Sequence, residues 1–316
     1  MAYEGEENDG NAHDDRGAMK TMDDKPNWEH DGHDWPNRAS SRFLSAGGLR
    51  WHVQKMGEGP VLLLLHGTGA ATHSWRDFAP ILAERFTVIA PDLPGHGFTA
   101  SPPYERMSLP GMAAAIGALI EALGVSPALV LGHSAGAAIL IQLCLEGRLA
   151  PSGIISLNGA LMPWRGLPAH VFSPVAKLLA GNALVSRVFA WRAGNRKEIE
   201  RLVASTGSAL SPNGVDFYQR LIRHPSHIRA TLSMMANWDL ALIEQGLPHL
   251  QTPLYLVVAE GDLTVSPREA QRVRERLPGA ELLTLPALGH LAHEEQPAKV
   301  AAVVHGIADR LTLSAR

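Results

Sequence analysis

The sequence predicts an α/β fold, a mostly parallel eight-stranded sheet with helices on both faces and a helical cap inserted into it. Three observations lead there. Short apolar runs such as residues 61–65 and 254–259 recur without polar alternation, as in strands covered on both faces. Amphipathic stretches separate most of these runs, and strand, helix, strand in succession implies parallel pairing through right-handed crossovers. One connection, about 95 residues between Leu157 and Leu254, is far longer than a crossover requires.

Residues 1–38 hold eleven Asp and Glu against four Lys and Arg. Almost without aliphatic residues, they are expected to form a disordered acidic tail. His30, Asp31, His33 and Asp34 are metal-ligand types, but no periodic scaffold fixes them, so the tail is read as solvated. The first core segment, 39–159, opens with strands 42–45 and 49–56, a hairpin turned by Ala46, Gly47 and Gly48. Strands 61–65, 86–90, 128–131 and 153–157 follow, with helices expected over 74–85, 108–123 and 135–147, the second started by Pro110. The cap, 160–250, reads as helices over 173–179, 186–191, 196–205, 215–224 and 227–242, broken by Gly and Pro. The second core segment, 251–316, adds strands 254–259 and 281–285.

With 46% apolar residues the chain can bury a large core, yet no apolar run approaches the ~20 residues that span a bilayer. The N-terminus is acidic rather than a basic stretch leading into an apolar one, so no export is expected. Cys144 is the single cysteine, which rules out an intramolecular disulfide and suits a cytoplasmic protein. Outside the tail the balance is four positive charges in excess, too dilute for nucleic-acid binding.

Gly132-His133-Ser134-Ala135-Gly136 matches G-x-S-x-G between a predicted strand and a predicted helix. That context makes Ser134 the candidate nucleophile on a sharp turn. A serine hydroxyl needs a base and an orienting carboxylate. His290 follows strand 281–285 and Asp262 follows strand 254–259, both on loops at carboxyl ends of strands, where an open α/β sheet places its ligands. Glu260 is an alternative acid and His293 an alternative base. The N–H of Ala135 and that of Thr68, in the His66-Gly67-Thr68-Gly69 loop, are the candidate oxyanion donors. Asp92, in the turn 92–97, is read as tying backbone N–H groups. His290, His293 and Glu294 lack the H-E-x-x-H spacing of a zinc site, and Gly67 with Gly69 lacks the rest of a dinucleotide loop, so no metal and no cofactor is expected. The cap carries seven of the chain's eighteen aromatics. Of its residues Trp164, Phe172, Met235 and Trp238, together with His133, are candidates for a substrate pocket.

Ser134, Asp262, His290, the His66-Gly67 loop and the 92–97 turn together resemble the α/β-hydrolases over residues 40–312. A narrower resemblance, to the magnesium-chelatase accessory proteins of bacteriochlorophyll biosynthesis, rests on 47–54, on 65–70 with His73-Ser74-Trp75-Arg76, and on 156–161. It implies a place near magnesium insertion, a tetrapyrrole as small apolar ligand, and magnesium-chelatase subunits as partners. It implies no particular reaction. Arg165, Arg187, Arg192 and Arg196 are candidates for meeting propionates. Three functions compete: a serine hydrolase acting on an ester, a non-catalytic tetrapyrrole-binding or chelatase-accessory protein, and a lyase or C–C bond hydrolase using the same triad.

Overall fold

The computed structural model describes residues 24–163 and 195–313. Eight strands form one sheet in the order β1-β2-β4-β3-β5-β6-β7-β8. They are β1 (Ser41–Ala46), β2 (Leu49–Met56), β3 (Val61–Leu65), β4 (Thr87–Pro91), β5 (Leu129–His133), β6 (Ile154–Leu157), β7 (Leu254–Ala259) and β8 (Glu281–Leu285). β2 runs antiparallel to β1 and β4, and all other neighbours are parallel.

Each central strand feeds two cores. Leu63 and Leu65 face one side, with Val130 and Leu256, under helices Leu109–Leu123 and Ala135–Leu145. Leu62 and Leu64 face the other, with Leu131 and Val257, under helices Phe78–Leu82 and Pro297–Arg310. A run of four leucines is therefore consumed two and two by the pleat, which is why these strands show no alternation in sequence. Cys144 is unpaired, and burial pushes its thiol up to about 11. Among the described residues, no helix is long and apolar enough to cross a membrane.

Three expectations need correction. The helix expected over 74–85 is a 3₁₀ turn, Thr72–Trp75, followed by the short helix Phe78–Leu82, whose third residue, Pro80, confines it to a first turn. The helix expected over 227–242 is two, Pro225–Ala236 and Ala241–Gly246. Asn237 ends the first by donating its side-chain amide to the Ser233 carbonyl, and Asp239 starts the second by accepting the Ala241 N–H. The helix expected over 215–224 begins earlier, as Pro212–Ile222, capped by Ser211. Helix Arg196–Ser205 stands as expected, and the segments 173–179 and 186–191 lie outside the described residues.

A separate correction, beyond those three helices, concerns the disordered tail. Residues 24–38 form an ordered strap over the β1–β2 edge and the helices of the β6–β7 connection. Asn27 caps the helix Trp28–Asp31, and Trp28 packs edge-on to Phe43 and Phe98. Trp35 is only 2% exposed, donates to Thr72 Oγ1 at 3.0 Å, and lies between Phe98, His73 and Phe217. Arg220 holds both carboxylate oxygens of Asp34, and Arg229 pairs with Asp24. Two tryptophans bury enough apolar surface to order a segment whose average composition is that of a solvated chain.

Candidate active site

The carboxyl ends of β3, β5, β6, β7 and β8 bring together the residues singled out in the sequence. Ser134 follows β5 directly, with φ 52° and ψ −119°, a left-handed conformation costing a non-glycine residue about 1–3 kcal/mol. Its surroundings hold it there. The Ser134 N–H donates to Leu157 at 3.1 Å, and its carbonyl accepts from Ala137 and Ala160. A Cβ on Gly136 would lie 2.2 Å from the Leu65 carbonyl oxygen, so only glycine lets β3 approach the turn. Ala135 opens the following helix, and its N–H has no intrahelical acceptor.

On the loops after β7 and β8, His290 Nδ1–H donates to Asp262 Oδ2 at 2.7 Å, both side chains nearly buried, and the His290 ring lies 4.7 Å from that of His133. Asp262 Oδ1 accepts the N–H groups of Thr264 at 2.7 Å and Val265 at 2.9 Å. The carboxylate is fixed by three donors. Of the two alternatives, Glu260 is exposed, and His293 is fully buried against Trp75 and Phe78.

The Thr68 loop runs past Ser134: a Cβ on Gly67 would come 3.0 Å from Ser134 Cβ. Helix Pro225–Ala236 covers that loop, His227 Nε2–H donating to the Gly69 carbonyl at 3.1 Å and Thr68 Oγ1 to Met234 Sδ at 3.6 Å. Met234, not the expected Met235, is thus the methionine at the Thr68 loop; Met235 is 53% exposed. Trp238 packs on the main core. The described aromatics Phe217 and Tyr218 turn towards Trp35 and His73 instead of Ser134. Trp164, Phe172, Arg165, Arg187 and Arg192 lie outside the described residues. Arg196 pairs with Glu200 and Asp216. His133, expected at a pocket wall, instead braces the site from beneath: its Nε2–H donates to the His290 carbonyl at 2.9 Å.

Sequence reasoning missed Asn158. Directly after β6, with φ 46°, it donates Nδ2–H to the His290 and Gly289 carbonyls and accepts the Ala259 N–H at 2.8 Å. It links the loop carrying His290 to the strand leading to Asp262. An asparagine at a strand end was the only signal available, and such residues are common in turns.

The turn after β4 is an electrostatic anchor. Asp92 accepts from His52 Nδ1–H, Thr72 N–H and Phe98 N–H. Burial alone would raise its carboxyl, but His52 and these donors hold it well below the usual range. His66 accepts the Leu93 N–H and donates to the Gly67 carbonyl, fixing the loop before Thr68. Among the described residues no group of three or more His, Cys, Asp or Glu is placed to hold a metal ion.

Six imidazoles, His66, His73, His96, His133, His227 and His293, are held below their ordinary value chiefly by burial, His227 at about 4. The folded state therefore binds fewer protons than the unfolded one, and this stability is present above about pH 6.5 and lost as pH falls. Glu294 acts oppositely: burial raises it to about 7 despite Arg76 and the Tyr218 hydroxyl, so the folded state gains from its proton between about pH 4.5 and 7. Six groups outweigh one. Unfolding near pH 6 is expected to take up on the order of three protons, with Tm level above pH 7 and falling steeply below about 6.5. Calorimetry from pH 5 to 8 measures this, and a Tm unchanged between pH 5 and 7 would refute it.

Comparison with known proteins gives the following likenesses. A family model described as the alpha/beta hydrolase family matches residues 62–303. The magnesium-chelatase 30 kDa subunit of Rhodobacter capsulatus is 37% identical over 262 residues, 82% of this chain and 91% of that protein. Among solved structures, an alpha/beta hydrolase fold protein of Burkholderia ambifaria superposes with a TM-score of 0.70 at 24% identity, covering 83% of this chain and 96% of that one. An epoxide hydrolase of Vigna radiata gives 0.71 at 18% identity, over 85% and 98%.

Proposed function

The chain belongs to the alpha/beta hydrolase family, and from that premise we propose that it is a serine hydrolase acting on an ester of a small apolar molecule. The observation that carries the reading is Ser134 in its left-handed turn ahead of a helix, together with a His290–Asp262 pair bonded at 2.7 Å whose imidazole lies 4.7 Å, centroid to centroid, from that of His133, the residue before Ser134. Ser134 Oγ attacks the ester carbonyl carbon while its proton passes to His290 Nε2, and Asp262 holds the imidazole with Nδ1 protonated. The negative charge on the former carbonyl oxygen meets the N–H groups of Ala135 and Thr68 at the positive end of helix Ala135–Leu145. Collapse breaks the ester C–O bond, and the leaving alcohol takes the proton from His290. Water, deprotonated by His290, then frees the acid and restores Ser134.

The 37% identity to a protein named as a magnesium-chelatase subunit supports a place beside magnesium insertion with chelatase subunits as partners; to that reading belong bacteriochlorophyll synthesis in the cytoplasm and a tetrapyrrole ester as substrate. The same name favours a second reading, in which the chain assists the chelatase without turnover.

A serine-directed fluorophosphonate is expected to label wild-type protein at Ser134 and to leave Ser134→Ala unlabelled. His290→Ala should be labelled at least about a hundredfold more slowly, since general-base assistance contributes 10²–10⁴. Equal labelling of wild type and His290→Ala would remove His290 from the mechanism. A deletion strain complemented as well by Ser134→Ala as by wild type would favour the second reading.

A further inference from the structure

The main chain around His290 is bonded at every position, from two different parts of the molecule. The core supplies donors: Asn158 Nδ2–H and His133 Nε2–H both reach the His290 carbonyl, each at 2.9 Å. The acceptors come from elsewhere. The His290 N–H donates to the carbonyl of Thr206 at 3.2 Å, and the Leu291 N–H to Ser208 Oγ at 2.8 Å. Ser208 Oγ–H in turn donates to Glu295 Oε1 at 2.7 Å, the same oxygen that accepts the Gly289 N–H at 2.9 Å.

Thr206, Gly207 and Ser208 form the turn that ends helix Arg196–Ser205 of the β6–β7 connection. The Thr206 carbonyl also accepts the Leu263 N–H at 3.2 Å, next to Asp262. One peptide group thus grips both loops that bring Asp262 and His290 together. The packing leaves no slack. Gly207 has φ +82°, and a Cβ on it would lie 2.0 Å from the Gly261 carbonyl oxygen, while one on Gly289 would lie 2.3 Å from the Gly207 carbonyl. Three glycines meet backbone to backbone, wedged between the acid and base loops.

We propose that the Thr206-Gly207-Ser208 turn, with Glu295 as its second support, is a positioning element through which the insertion aligns His290 on Asp262 and towards Ser134. This rests on the serine-hydrolase reading. Without the turn, the two consecutive N–H groups of His290 and Leu291 lose their acceptors in a buried place, Glu295 loses the hydroxyl that steadies it under the Gly289 N–H, and the imidazole is free to shift from the line of proton transfer. None of these residues touches the reacting atoms; they act through His290.

The test uses full-length protein, an activated short-chain ester and the fluorophosphonate probe, with rates per folded molecule and Tm recorded together. Ser208→Ala and Glu295→Ala should each lower kcat and the labelling rate by about ten- to a hundredfold, the scale of an ångström-level misplacement, with KM changed less than about threefold. Glu295→Gln, which keeps Oε1 as an acceptor, should restore labelling to within about threefold of wild type. Should Glu295→Ala fail to fold, Ser208→Ala carries the test. Wild-type rates in folded Ser208→Ala would overturn the proposal whatever its Tm, as would Glu295→Gln no faster than Glu295→Ala. A wild-type protein that is not labelled at all would instead overturn the serine-hydrolase reading beneath it.

Discussion

Asp262→Asn should lower the rate of acylation by about 10⁴ while leaving the fold intact, the scale seen when an orienting carboxylate becomes an amide. The direction follows from the donors around the carboxylate. Oδ1 accepts two backbone N–H groups, from Thr264 and Val265, so the amide oxygen of an asparagine must take that place. Its NH₂ then points at His290 Nδ1, where Oδ2 now accepts. An imidazole facing a donor must leave Nδ1 unprotonated and carry its proton on Nε2, the atom that has to receive the serine proton. The base is present but in the wrong tautomer. Stopped-flow acylation at pH 7–8 with a parallel melting curve measures the effect. A loss under about tenfold in a folded variant would mean that another carboxylate orients His290, and Glu260→Gln would then be the substitution to examine.

Trp35→Ala should destabilise the protein by about 3–5 kcal/mol, the range for large buried aromatics. In a domain this size that is roughly a 10 °C fall in Tm. Trp35 joins three parts of the molecule at once: Thr72 and His73 after β3, Phe98 after β4, and Phe217 in the β6–β7 connection. Its removal also leaves His73, whose two ring nitrogens already have no partner, beside a cavity. Truncation of residues 1–36 should lower Tm further, because it also removes Trp28 and the Pro36 carbonyl that accepts from Gln54. A truncated protein melting within about 3 °C of wild type would show that the strap contributes nothing to stability.

The strands and the sharp turn at Ser134 were legible in the sequence because each is dictated locally. Val61–Leu65 can only be a strand buried on both faces, and the small residues flanking Ser134 are what a sharp strand-to-helix turn demands. That Asp262 and His290 belong together was legible by chain order and strand ends, though not their mutual geometry. What was missed depends on distant partners. Trp28 and Trp35 disappear into an acidic average over 38 residues, and nothing nearby announces that Phe98 and Phe217 will receive them. Met234 and Met235 are equivalent as letters; only the helix's rotation over the Thr68 loop decides which is buried. His133 looked like a pocket residue for its place beside Ser134, and its role as a brace follows from the His290 carbonyl 157 positions later.

The strap has a consequence for the order in which the chain is assembled during synthesis. Thr72, His73 and Phe98 leave the ribosome within about 65 residues of Trp35, whereas Phe217 and Arg220 follow more than 180 residues later. At roughly 5–20 residues per second that interval is about 10–40 s. For about the last two thirds of it, once Phe98 has emerged, Trp35 can rest against Thr72 and Phe98 with the face that Phe217 later covers still bare. When the helix Pro212–Ile222 emerges it meets a half-finished wall that already displays its partners: an aromatic ring for Phe217 and a carboxylate for Arg220. The earliest part of the described chain thus serves as the template on which a much later part is seated.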